Sequence, residues 1–154
     1  MSIAVEETIV PPGIKPELVG TWQLMSAKDL KEGVWVPYTF GNPPSGYFIY
    51  DATGHASVQI MTTPKVTLSN PDDGPTPAEA LDIFNNYIAY YGTWFTAESI
   101  TDGKTTQTVT VHVAGALNPE QVDTPQDRTY TVNGDTLTIG SECEGYIRTL
   151  QRLV

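Results

Sequence analysis

One cysteine, two histidines and eight basic residues are all that this chain of 154 residues has of three kinds of chemistry. Each scarcity excludes something. Cys143 stands alone, so no disulfide framework is expected. His55, His112 and that single cysteine lack the spacing of a metal-ligand set, and no metal is expected. Eighteen acidic residues against eight basic ones give a formal charge of −10. Such a surface repels phosphate backbones and anionic bilayers, which argues against nucleic-acid and membrane partners. The acidity itself serves solubility. No apolar run approaches the ~20 residues that span a bilayer. Residues 1–10 carry Glu6 and Glu7 but no basic stretch ahead of an apolar core, so a secretory signal is not expected. There is no Asn-x-Ser/Thr sequon either, and the expected location is cytoplasmic. A P-loop, a dinucleotide glycine fingerprint and a nucleophile elbow are all missing. Ser26, Ser45 and Ser57 have no triad context, and Asp51, Asp82, Glu98 and Asp135 form no recognisable carboxylate pair. No cofactor is expected.

What is present reads as one all-β domain. The length suffices to bury about two thirds of the unfolded surface. Residues 1–16, broken by Pro11, Pro12 and Pro16, read as an irregular arm ahead of a domain over 17–154. A first strand is expected over Val19–Lys28. Three hairpin signals follow, at Asp51-Ala52-Thr53-Gly54, Thr101-Asp102-Gly103-Lys104 and Asn133-Gly134-Asp135, each between β-branched or aromatic stretches. A last strand runs from about Tyr146 to Leu153. Thr76-Pro77-Ala78-Glu79 is a capping box with proline at the first helical position. Leu81, Phe84 and Ile88 recur at helical spacing behind it, predicting one helix over about Pro77–Tyr90. Thr62–Gly74, rich in Pro, Asn, Asp and Gly, reads as a long loop, the natural lid for any cavity beside it.

Gly20-Thr21-Trp22 opens the first long strand, and Arg152 lies on the last. A Gly-x-Trp opening with a late arginine resembles the lipocalin-like barrels. So do Gly46-Tyr47-Phe48-Ile49-Tyr50, the run from Gly54 to Met61, the run from Tyr87 to Trp94, and Val111-His112-Val113-Ala114-Gly115. Over about Leu18–Arg152 the chain resembles the intracellular lipocalin-like domain family of bacteria and fungi. The resemblance implies a single antiparallel calycin-type barrel of about eight strands with one inserted helix, enclosing a small ligand. It also implies that Arg152, or failing it Arg148, lies across the Trp22 indole and closes one end. Members typically show two adjacent histidines followed by Val and an acidic residue. This chain has Val111, His112, Val113 and Ala114 there, which puts a His–Glu acid–base pair in doubt.

Strand alternation puts Thr108, Thr110 and His112 on one face of their strand and three valines on the other. His55, Ser57, Gln59 and Met61 share a face in the same way. If both polar faces turn inward, His112 and Gln59 meet a ligand, as general base or hydrogen-bond donors. They are the expected catalytic pair, with Ser57 and Thr110 beside them. Tyr47, Tyr50, Tyr90, Trp94 and Met61 are the expected substrate-binding wall, since clustered tyrosines supply apolar surface and polar handles together. The expected partner is a small hydrophobic organic molecule. The expected function is cofactor-independent cyclisation or isomerisation, a pericyclic step or dehydration included, of a natural-product intermediate in secondary metabolism. The alternative is a non-catalytic carrier of the same kind of ligand. The residues leave open whether the chain is a monomer or a homodimer.

Overall fold

The computed structural model describes residues 8–38, 41 and 43–154. Its strands are β1 (Thr8–Gly13), β2 (Gly20–Lys31), β3 (Val34–Pro37), β4 (Ser45–Tyr50), β5 (His55–Met61), β6 (Tyr87–Thr101), β7 (Lys104–Ala116), β8 (Pro125–Asn133), β9 (Thr136–Ser141) and β10 (Tyr146–Arg152). Helix α1 spans Pro77–Asn85, and single 3-10 turns lie at Pro16–Leu18, Pro71–Asp73 and Pro119–Gln121. Pairing runs β6-β5-β4-β2-β10-β9-β8-β7 and returns to β6, so eight strands close into an antiparallel barrel. Closure leaves that ring without a free edge. β3 pairs with β2 outside the ring. β1 pairs with β6 from Thr96 to Ile100, just where β5 has run out at Thr93.

Alternation sets the core. Trp22 and Leu24, Phe48 and Tyr50, Ala56, Val58 and Ile60, Tyr90 and Trp94, Val109, Val111 and Val113, then Leu137, Ile139 and Leu150 form one continuous buried cluster. Burying each large member contributes roughly 1.5–3 kcal/mol. The two ends of the barrel follow from the register. The starts of β4, β6, β8 and β10 meet the ends of β5, β7 and β9 at one end. Trp22, Arg152 and the β8–β9 hairpin mark the other.

Three expectations need correction. Within the arm, residues 8–13 form a strand despite Pro11 and Pro12; residues 1–7 lie outside those described. β1 is an edge strand whose register shifts between Val10 and Gly13, the setting in which a strand tolerates proline. The helix ends at Asn85 rather than Tyr90, with Asn86 as its C-cap. Ile88 fits the helical period, but it lies opposite buried Ile60 in β6, so sheet pairing wins over the local pattern. β3 was not anticipated; it is four residues long.

Candidate functional site

The closed end is sealed by side chains. Arg152 Cζ lies 4.2 Å from the Trp22 ring centroid, and the indole Nε1 donates to Leu18 O at 3.0 Å. The guanidinium also donates to the Val19 carbonyl at 2.5 Å and the Glu17 carbonyl at 2.6 Å, and pairs with Asp135 at 3.4 Å. A Cβ on Gly20 would stand 2.8 Å from Arg152 Nη1, and Gly20 has φ +148°, so glycine is required for the arginine to lie there. The arginine across the indole, expected from the sequence, is in place, and it is Arg152 that takes the role.

The open end is lined differently. Arg148 turns there, its Nη1 2.9 Å from Asp29 Oδ1, with its guanidinium 4.1 Å from the Tyr38 ring and 5.2 Å from the Tyr146 ring. Asp29 Oδ1 is buried and gains only this charge contact, with no well-aligned hydrogen bond. Arg128 pairs across the ladder with inward Val109 and so shares its face. It donates to the Asp127 carbonyl at 2.7 Å and to Gln126 Oε1 at 3.2 Å, and its Cζ is 6.0 Å from the Tyr146 ring. Deeper in, Tyr50 and Trp94 pack edge to face at 5.3 Å, and the indole donates to the Asp51 carbonyl.

Burial raises the pKa of Tyr50, Tyr90, Tyr146 and Tyr38, while the positive charge of Arg128 acts in the opposite direction on all four. Burial also pushes Tyr130 up to about 12, with Glu17 adding to it and the Thr96 hydroxyl opposing. These phenols are hydrogen-bond donors at neutral pH.

The sequence-expected residues divide between the two faces of the wall. Tyr50, Tyr90 and Trp94 are inside and buried. Gln59 and His112 are outside and exposed, because Ala56, Val58 and Ile60 on β5 and the three valines on β7 are the ones that turn inward. The expected inward register of these two polar stripes is therefore reversed. Tyr47, Gln59 and Met61 line an outer groove of about 190 Å³ with Tyr87, whose hydroxyl donates to Gln59 Oε1 at 3.2 Å. Ser57 and Gln59 border a second outer depression of about 380 Å³. Thr110 shares the His112 side of β7 and donates to Asp127 Oδ1 at 2.6 Å.

The Thr62–Gly74 segment is tied down at both ends. Thr63 Oγ1 donates to the Pro43 carbonyl at 2.6 Å, and Ser69 N donates to Glu79 Oε2 at 2.7 Å. Glu79 completes the capping box on Thr76, and these backbone donors hold its carboxyl below the usual range. The sequence did not single out Gln126, Arg128, Tyr146 and Tyr38 as facing this end, and it singled out Arg148 only for the Trp22 contact. The available signal was the arginine count: the chain has three, at 128, 148 and 152. All three turn inward, from β8 and β10.

Among the described residues no cluster of three or more His, Cys, Asp or Glu side chains could hold a metal ion. No described helix is long and apolar enough to cross a membrane. Compared with known proteins, residues 19–150 match the family model described as a lipocalin-like domain. No curated protein matches the chain. With most of its length matched and an eight-stranded closed barrel beneath the match, the chain belongs to the lipocalin-like domain family.

Proposed function

We propose that this lipocalin-like barrel holds one small hydrophobic molecule in its open half and acts on it as a cofactor-independent cyclase or isomerase of natural-product biosynthesis. One observation carries the reading. Tyr38, Ile88, Ala116, Gln126, Arg128, Tyr146 and Arg148 face inward or pack at the open end yet keep accessible surface, so that end is not sealed as the other is. Its walls combine apolar surface from Ile60, Val111, Val113 and Trp94 with donors from tyrosine and arginine. That is the composition of a ligand site. Ring closure, isomerisation or dehydration of a bound polyene or carbonyl compound needs a fixed conformation, excluded water and donors aimed at developing negative charge. A preorganised donor of this kind is worth about 10²–10³ in rate. Tyr50, Tyr90 and Trp94 remain the expected wall in this reading. The donor roles expected of Gln59 and His112 pass to Arg128 and Tyr146.

The carrier reading is favoured by a different observation. Both histidines, His55 and His112, are exposed on the outer face. At the open end Arg148 holds the Asp29 carboxylate. A general base is therefore missing among the described residues facing that half, and chemistry there rests on donors and shape alone. The experiment deletes the gene in its host, isolates the compound that accumulates, and incubates it with the purified, dialysed protein. Conversion without added cofactor supports the enzyme. Stoichiometric binding without conversion supports the carrier. Neither binding nor conversion contradicts both.

A further inference from the structure

We infer that Arg128 is an anion-binding residue, and that the ligand carries one carboxylate or acidic enol oxygen on an otherwise apolar body. The inference rests on the proposed occupancy of the open half and specifies what occupies it. The chain has 18 acidic residues and three arginines. Arg152 is paired with Asp135 and Arg148 with Asp29. Arg128 has no carboxylate within 4.0 Å among the described residues; its acceptors are the Asp127 carbonyl and the Gln126 side-chain amide, both neutral. Its sequence neighbour Asp127 does not serve, because that carboxylate accepts from Thr110 on the opposite face of the wall. In so acidic a chain, the arginine left without a counter-charge is one that turns into the barrel.

The surroundings sharpen the point. Arg128 acts on the phenols of Tyr38, Tyr50, Tyr90 and Tyr146, none of which is anionic at neutral pH, and the second cation over the Tyr146 ring, Arg148, already holds the Asp29 carboxylate. A partly buried guanidinium with no carboxylate of its own is costly unless an anion joins it. Guanidinium presents five N–H donors in a planar fork suited to a carboxylate, and among the described residues two acceptors engage them. A bound carboxylate or enolate would engage the fork by charge-assisted hydrogen bonds. The Tyr146 ring lies 6.0 Å from Arg128 Cζ, which puts a phenol near the same guanidinium.

The test uses two probes with the same aryl body on the full chain. 1-Anilinonaphthalene-8-sulfonate carries an anion, and N-phenyl-1-naphthylamine does not. The wild-type protein should bind the sulfonate at least about tenfold more tightly, and Arg128→Gln should remove that preference while leaving the neutral probe within about twofold. Arg128→Lys should restore part of it. A second comparison needs no variant, which covers a failure of Arg128→Gln to fold. Dodecanoate should displace the neutral probe from wild-type protein at least about tenfold more effectively than dodecanol. Equal affinities, or a preference that survives Arg128→Gln, overturn the anion assignment and leave the occupied barrel standing. Failure of both probes to bind overturns the occupied barrel, and this inference with it.

Discussion

At the closed end of the barrel Leu18, Trp22, Leu137 and Leu150 are all 0% exposed, whereas at the open end Tyr38, Gln126, Arg128, Tyr146 and Arg148 keep accessible surface. The same strands, β2, β8, β9 and β10, supply both ends. β10 makes the contrast within seven residues: Arg152 lies across Trp22, Leu150 is fully buried, and Arg148 and Tyr146 face the mouth. Even the arginines differ by end. Arg152 spends its charge on two backbone carbonyls and Asp135, a structural use. Arg128, among the described residues, has only acceptors of no net charge. Sealed surface with a paired arginine carries stability, and accessible surface with an arginine lacking a carboxylate is what a ligand needs.

The contrast can be broken first at its filled end. Trp22→Ala should destabilise by about 3–5 kcal/mol in chemical denaturation, because it empties a fully enclosed site. A loss under about 1 kcal/mol would mean that the closed end is not where stability resides. Arg152→Ala should cost about 1–3 kcal/mol and leave probe affinity unchanged. If it abolished binding with the fold intact, the closed end would belong to the ligand site. At the open end the expectation inverts. Arg128→Met should change stability by less than about 1 kcal/mol, in either direction, because removing an uncompensated charge offsets its lost hydrogen bonds. Denaturation midpoints of the two variants, measured side by side, give the comparison directly.

Alkaline pH probes the phenols. Tyr130 has its folded pKa raised to about 12 against about 10 when unfolded. Its contribution is therefore fully present below about pH 10 and is lost as pH rises through about 12, since the unfolded chain ionises first. Stability measured at pH 9 and pH 11 should fall, and Tyr130→Phe should flatten part of that slope. The smallest effect is expected on the outer wall. Gln59→Ala and His112→Ala should shift neutral-probe affinity by less than about twofold, as fits surface positions.

Much of the fold was legible because its signals are local. The turn residues at 51–54, 101–104 and 133–135 each join two strands, and the capping box at Thr76–Glu79 starts a helix as written. The distant Trp22–Arg152 contact was legible only through the family resemblance. The helix end was not, since the Leu81, Phe84, Ile88 spacing fits a helix and only the tertiary partner Ile60 draws Ile88 into a strand. Facing was the larger gap. β5 and β7 each carry one polar and one apolar stripe, and alternation alone gives two registers of equal standing. Here the short apolar stripe turns in, leaving His112 and Gln59 outside. Polar groups enter the interior instead from β8 and β10, where Gln126, Arg128 and Tyr130 alternate toward the core. Mixed stripes of that kind look like surface in a sequence. The bulge between Thr149 and Leu150 further hides which residues of β2 share a face.

The account stands on a ligand occupying the open half of the barrel interior. Intermolecular nuclear Overhauser effects between bound N-phenyl-1-naphthylamine and assigned methyl groups test this most directly. The account predicts contacts to Ile60, Ile88, Val111 and Val113, with none to Leu18, Leu137 or Leu150 at the sealed end. Contacts confined to Ile49, Leu117 and Val122, which are exposed outside the barrel, would contradict it.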